Sequence, residues 1–488
     1  MEVLVKDWLN LWDYREKYNS MSVGVKATLW YTIANFIQKG FVFVSTPILT
    51  RVLSVDDYGT LMLYQSWFVL FSIFATLNLS QAAFSRGLVE YEDDRDNFMF
   101  SLMFVAKLTT VMVAALYFVS NLFFYNVTGL SSSFMLFLFS DIFFNVGIDF
   151  YLTRQRFEYK YKKAVAITLL SSILIVVIST LMLVYVKNNI IIKIISDNLI
   201  RCIFGLYCIY LLVFSKKGKI KLKKKYMVYG LNFTLPLIPH FLSHYVLNQS
   251  DRLMINIFDG VDKVAIYSVA YSISMIMFLI TNAINQSVMP YTFQELHKEN
   301  YRDIRQNTEW LFIIVAGMTI LSILFAPELI SILGGARYKE AVWLVPPIAL
   351  SVFYLFVYSM FSNISFYYKI NKWISLVSLI AAISNIILNY IFINLYGYIA
   401  AAYTTLFCYI LLAVSHYILY MRVLRKRNIK ERIYNEKMIL MVSLVLSILL
   451  FLILNIYGSA ILRYAFIVII IYFFVRRKKK IISSFIHR

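Results

Sequence analysis

The sequence predicts an all-α, polytopic membrane protein, and three observations carry that prediction. Of its 488 residues, 60% are hydrophobic and only 15% are charged, against roughly 45–50% and about 25% in soluble domains. Mean hydropathy is +0.71. The apolar residues come in runs of about 20, the length that crosses a bilayer as a helix. With 15 Gly and 7 Pro, the chain has too few of either for a fibrous or low-complexity protein.

Fourteen segments qualify as spans: 27–48, 58–84, 98–123, 133–153, 164–186, 190–214, 227–255, 264–288, 308–333, 341–366, 374–394, 398–421, 438–456 and 459–475. Residues 1–25 carry Lys6, Asp7, Arg15, Glu16 and Lys17 beside Trp8 and Trp12, an amphipathic lead-in suited to the membrane surface. No short apolar run with a small-residue cleavage site comes before the first span, so no cleaved leader is expected. If the N-terminus is cytoplasmic, 36 of the 47 Lys and Arg fall in inner segments and seven in outer loops, Lys193 among the seven. That asymmetry predicts both termini inside. It also gives the formal charge of +21 a role beside an anionic leaflet, and it removes nucleic acid as a partner. Cys202, Cys208 and Cys408 lie inside apolar runs, offer no disulfide framework or metal spacing, and read as small apolar filler.

The loops are too short to fold as domains, so function must sit in the bundle. The second half echoes the first at an offset near 206 residues. Thr50 to Gly59 corresponds to Asn256 to Ala265, each a span end, a Val-Asp turn and a new span. Repeats six spans apart share one orientation. The expected architecture is therefore two pseudo-symmetric six-helix lobes plus two C-terminal helices. The N-lobe covers 26–214 and a basic linker 215–226. The C-lobe covers 227–421, a basic loop 422–437, the last two spans 438–475 and a basic tail 476–488.

A charge at mid-bilayer costs about 2.5–3.5 kcal/mol on insertion scales, so it tends to face a cavity or a partner. The cations inside spans are Lys39, Lys107, Arg201 and Arg252. Lys107 is expected to snorkel to the inner face. Lys39 is mid-span, one turn after Asn35. Arg201 follows Asp197 by four residues, the spacing of a pair on one helix face. Asp141, in the fourth span with Asn145 and Asp149, is deep enough to pair with Lys39 or to carry a coupling proton. In the seventh span, Pro236 and Pro239 predict a kink. His240, His244, Asn248 and Asp251 follow on one stripe, read as the polar lining of an aqueous cavity. Two histidines are too few for a metal site. Asn282, Asn285 and Gln286 in the eighth span, and Asn385 and Asn389 in the eleventh, either tie helices together or meet sugar hydroxyls. No hydrolase, kinase, dinucleotide or metalloprotease motif is present, and no cofactor is expected.

Several motifs carry a resemblance. Pro47 to Ser54 followed by Asp57-Tyr58-Gly59 looks like the end of the first helix in Wzx-type polysaccharide flippases. Asp251-Arg252-Leu253-Met254-Ile255, then Ala265-Ile266-Tyr267-Ser268-Val269-Ala270-Tyr271, resembles that group's junction of helices seven and eight. Pro327 to Gly334, Tyr338 and the Gly397-to-Ala402 opening of the twelfth span also fit. Lys263-Val264-Ala265 departs from the pattern by lacking a glycine. The resemblance implies the multidrug/oligosaccharidyl-lipid/polysaccharide exporter superfamily and a two-lobe bundle working by alternating access. It implies an undecaprenyl-diphosphate-linked oligosaccharide as cargo, moved from the inner to the outer leaflet of a bacterial plasma membrane. Lys39, Arg201 and Arg252 would meet the diphosphate. Asn35, His240, His244, Asn248, Asp251, Asn282 and Gln286 would line the cavity, and Asp141 or Asp197 would couple an ion. Membrane lipids and polysaccharide polymerase machinery are the expected partners. The competing readings are a drug or cation antiporter of the same superfamily and a glycan polymerase or ligase. The second would need a catalytic outer loop that the sequence does not provide.

Overall fold

A computed structural model describes residues 18–124, 127–186, 189–214, 220–469 and 472. The amphipathic lead-in, apart from its last residues, the start of the basic linker and the basic tail lie outside the described residues. Among the described residues every regular element is a helix, and eleven helices are long and apolar enough to cross a membrane. All the α-helices, short and long, run in order α1 (Val23–Val52), α2 (Val55–Thr76), α3 (Ala83–Glu90), α4 (Arg95–Phe123), α5 (Ser132–Phe157), α6 (Tyr161–Tyr185) and α7 (Ile190–Ile209). They continue with α8 (Lys224–Thr234), α9 (Ile238–Phe258), α10 (Val261–His297), α11 (Tyr301–Leu324), α12 (Ala326–Leu333) and α13 (Val345–Tyr367). The last are α14 (Asn371–Tyr396), α15 (Ile399–Lys426), α16 (Glu436–Ile456) and α17 (Ala460–Ile469). Each of the fourteen expected spans coincides with helix where its residues are described. Three of them are interrupted, and each break has a local cause.

The second expected span, 58–84, stops at Thr76, where Leu77 and Asn78 take left-handed backbone conformations (φ 51° and 48°). The break frees the Ala75 carbonyl, which accepts hydrogen bonds from the hydroxyls of Thr109 (2.6 Å) and Thr110 (3.2 Å) on α4. In hydrocarbon such freed backbone groups must find internal partners. The seventh span breaks where expected: Leu235–Leu237 form a 3-10 turn around Pro236, and α9 begins one residue before Pro239. The ninth is split by Pro327, at the start of α12.

The helices gather into two compact units: residues 1–45 with 71–238, and residues 46–70 with 239–488. Part of the seventh span, α8, packs in the first unit, because Gly230 has no side chain and lies against Leu102 and Leu79. The proline break then lets α9 take another course. Residues 46–70 join the second unit, where Gly59 lies so close to the Val261 carbonyl that a Cβ would meet it at 2.0 Å. The two turns matched as a repeat, Leu53-Ser54 and Asp259-Gly260, therefore head helices that touch each other. The first unit's core is built on Leu79, Phe84, Phe98, Leu102, Phe150 and Tyr226. A core cluster of the second gathers Met277, Ile323, Leu324, Ala349 and Ile453.

Candidate functional site

In the first unit, charge gathers where α5 meets α7. The two helices approach through glycines: a Cβ on Gly205 would meet the Phe144 carbonyl at 2.5 Å, and one on Gly147 would meet the Gly205 carbonyl at 2.8 Å. Small residues let backbones come this close in membranes. The approach brings Asp141 of α5, which is buried, to Asn198 of α7, whose amide donates to Asp141 Oδ1 (2.9 Å) and to the Phe137 carbonyl (3.2 Å). Arg201 Nη1 lies 3.9 Å from Asp141 Oδ2, and its side chain is 29% exposed. This corrects two expectations. Arg201 faces Asp141 rather than Asp197, and Asp141 is engaged on α7 rather than by Lys39. Asp197 is instead paired with Lys193, four residues before it. Asp197 has a cation one turn away on either side; the lysine takes it, and the longer Arg201 crosses to α5. Lys193 is thus a buried span residue, not an outer-loop charge. Asp197 Oδ1 is buried without a hydrogen-bond partner among the described residues.

Two further cations sit in this unit. Lys39 and Asn35 project from an exposed stretch of α1, and among the described residues no carboxylate pairs with Lys39. Lys107 of α4 is half-buried, its ammonium 4.4 Å from the centroid of the Phe143 ring on α5. Asp149, one turn beyond Asn145, accepts a hydrogen bond from that amide (3.0 Å).

In the second unit the stripe on α9 divides. His244 is exposed and His240 half-buried, with their rings edge to face at 4.9 Å. Among the described residues no three metal-ligating side chains converge. Asn248 is half-buried; its amide donates to the His244 carbonyl (2.8 Å), and its oxygen accepts from Tyr409 (3.3 Å). Asp251 and Arg252 are buried. Adjacent side chains on a helix point about 100° apart, so the two turn to different neighbours. Asp251 accepts from Asn389 (2.7 Å), from Thr405 (2.9 Å) and from the Tyr267 hydroxyl. Arg252 donates to Ser268 (3.0 Å) and Gln249 (2.8 Å) and lies over the Tyr271 ring at 4.6 Å. Asn385 joins the cluster through Thr405 (3.2 Å) and Ser250 (3.2 Å), and Thr404 donates to Asn389. The Asp251 carboxylate is thus ringed by one amide N–H and two hydroxyls from three helices, which satisfy its oxygens by hydrogen bonding. Asn282 ties back to its own helix at Phe278 (2.9 Å), and Gln286 is exposed. The amides of Asn385 and Asn389 were visible in the sequence; Thr404, Thr405 and Tyr267 were not, because nothing distinguishes one hydroxyl among many before the helices pack.

The fold and its buried charges define a class: a multi-pass helical transporter of the superfamily to which lipid flippases and multidrug exporters belong. The fold is similar to that of the lipid II flippase MurJ in an inward closed conformation, with a TM-score of 0.72 at 16% identity over 93% of this chain and all of that one. It is also similar to an inward-facing multidrug resistance transporter of the MATE family in the MOP superfamily (TM-score 0.59, 14% identity, 83% of this chain and all of that one). Residues 25–297 match the polysaccharide biosynthesis protein family, and 236–391 match the MatE family. The chain belongs to the polysaccharide biosynthesis protein family. A Haemophilus influenzae protein named for the Lsg locus is 26% identical over 376 residues, 73% of this chain and 88% of that protein.

Proposed function

We propose that the protein is a flippase that moves an undecaprenyl-diphosphate-linked oligosaccharide from the inner to the outer leaflet of a bacterial plasma membrane, by alternating access, for cell-surface polysaccharide synthesis. Its termini lie in the cytoplasm, where the polymerase machinery's lipid-linked substrate originates. The observation that carries the reading is the state of the span cations in the first unit. Lys39 lies on an exposed stretch of α1 with no carboxylate paired to it among the described residues, and Arg201, its side chain 29% exposed, lies beside Asp141 in the same unit. An exposed ammonium keeps its donors for a diphosphate, and a guanidinium has five N–H donors to share between a carboxylate and a phosphate. Arg252, fully occupied within its own unit, is a framework residue in this reading. Asp141 and the Asp251 cluster are the candidates for ion coupling.

The MatE match over 236–391 supports a second reading, export of drugs or organic cations. The test replaces Lys39 and Arg201 by alanine in a strain lacking the native gene. Glycan export should fall at least tenfold while protein abundance holds. Normal export by both variants removes these residues from the site. Drug accumulation that rises on deletion, with surface glycan unchanged, selects the exporter instead.

A further inference from the structure

Lys107 does not snorkel. It lies twelve residues into α4, about 18 Å along the axis at 1.5 Å per residue. The inner ends of α4 and α5 meet where Arg154 contacts Asp96 at 2.5 Å. Phe143, under the ammonium, lies fourteen residues before the inner end of α5, about 21 Å along that helix. The side chain therefore runs sideways onto α5 at mid-span instead of toward the inner surface. The other span cations that are buried or half-buried are neutralised or hydrogen-bonded: Lys193 by Asp197, Arg201 beside Asp141, Arg252 by Gln249 and Ser268. Among the described residues Lys107 has neither a carboxylate nor a hydrogen-bond acceptor; an aromatic face is its one recorded contact. Such a contact offsets only part of what it costs to hold a lysine charge at mid-bilayer. A half-buried ammonium at mid-span with no anionic partner among the described residues is placed to take one.

We propose that Lys107 is a phosphate-binding position of the first unit, which takes the diphosphate of an isoprenoid carrier and releases the Phe143 ring as it does so. This rests on the flippase reading and adds a residue to its anion site. Phe143 has a defined part: it parks the ammonium over a soft partner that a phosphate displaces, where a carboxylate would hold it.

The test measures binding of geranylgeranyl diphosphate, with geranylgeraniol as the uncharged control, to the full-length protein in detergent. Wild type should prefer the diphosphate. Lys107→Met, which keeps the apolar stem, should lose about tenfold in diphosphate affinity, equivalent to roughly 1.4 kcal/mol, with geranylgeraniol binding and melting temperature unchanged. Lys107→Arg should stay close to wild type. If Lys107→Met melts and binds diphosphate as wild type does, the proposal is overturned while the flippase reading stands. If wild type shows no preference for the diphosphate, the flippase reading itself falls. Lys107→Gln replaces the Met variant should that one fail to melt cooperatively.

Discussion

Asp141, Asp197 and Asp251 are three carboxylates sunk in apolar helices, and their different partners show how much the residue scale depends on what each side chain can reach. Among the described residues Asp251 accepts from three neutral donors, Asp141 from the Asn198 amide with the Arg201 guanidinium nearby, and Asp197 pairs with Lys193 while its other oxygen has no hydrogen-bond partner. At the inner end of α5, Glu158 shows the same logic outside the spans. Partial burial pushes its carboxyl pKa up, but hydrogen bonds and charge from Lys160 and Arg154 outweigh that and hold it below the ordinary value. A depressed folded-state pKa means that the stabilisation is complete above the unfolded value and is lost as pH falls through the folded one. Melting temperature should therefore drop as pH is lowered below about 4.3, the unperturbed glutamate value. Glu158→Gln should melt lower than wild type at neutral pH and lose part of that acid dependence. Identical acid limbs for the two proteins would refute the assignment.

At the scale of elements, the contact of α5 with α7 sets the charge cluster, and two glycines set the contact. Gly205→Val forces a side chain onto the Phe144 carbonyl. Overpacking of this kind typically costs about 1–3 kcal/mol. The variant should melt lower than wild type, and Gly205→Ala should fall between the two. Gly40 is the internal control. A Cβ there meets nothing within 4 Å, and alanine is favoured over glycine in a helix by about 1 kcal/mol, so Gly40→Ala should hold or raise the melting temperature. Equal melting of Gly205→Val and wild type would mean that the helices tolerate wider spacing, and the Asn198–Asp141 bond would lose its structural reason.

For the whole molecule, charge distribution decides orientation. The cation asymmetry predicts that the loop at 428–434 lies inside and the turn at 334–336 outside. Alkaline phosphatase, active only outside the cytoplasm, should be several-fold more active when fused after Gly335 than after Lys430, and a cytoplasmic reporter should show the reverse. The opposite pattern would invert the proposed direction of transport.

Helical class, span positions and the proline break were legible because bilayer thickness and the missing proline donor act locally, on runs of about 20 residues and on single peptide units. The Lys39, Arg201 and Asp141 stations were legible as residues, since a charge in an apolar run is conspicuous by itself. Their partners were not. Spacing alone matched Asp197 to Arg201, sent Lys107 to the inner face and turned Asp251 toward water. Tertiary packing decided otherwise, because a side chain at mid-bilayer has no water to fall back on and takes whatever its neighbouring helix offers. What that helix offers is fixed by backbone approach at Gly147, Gly205 and Gly59, a quantity that no single run of sequence contains.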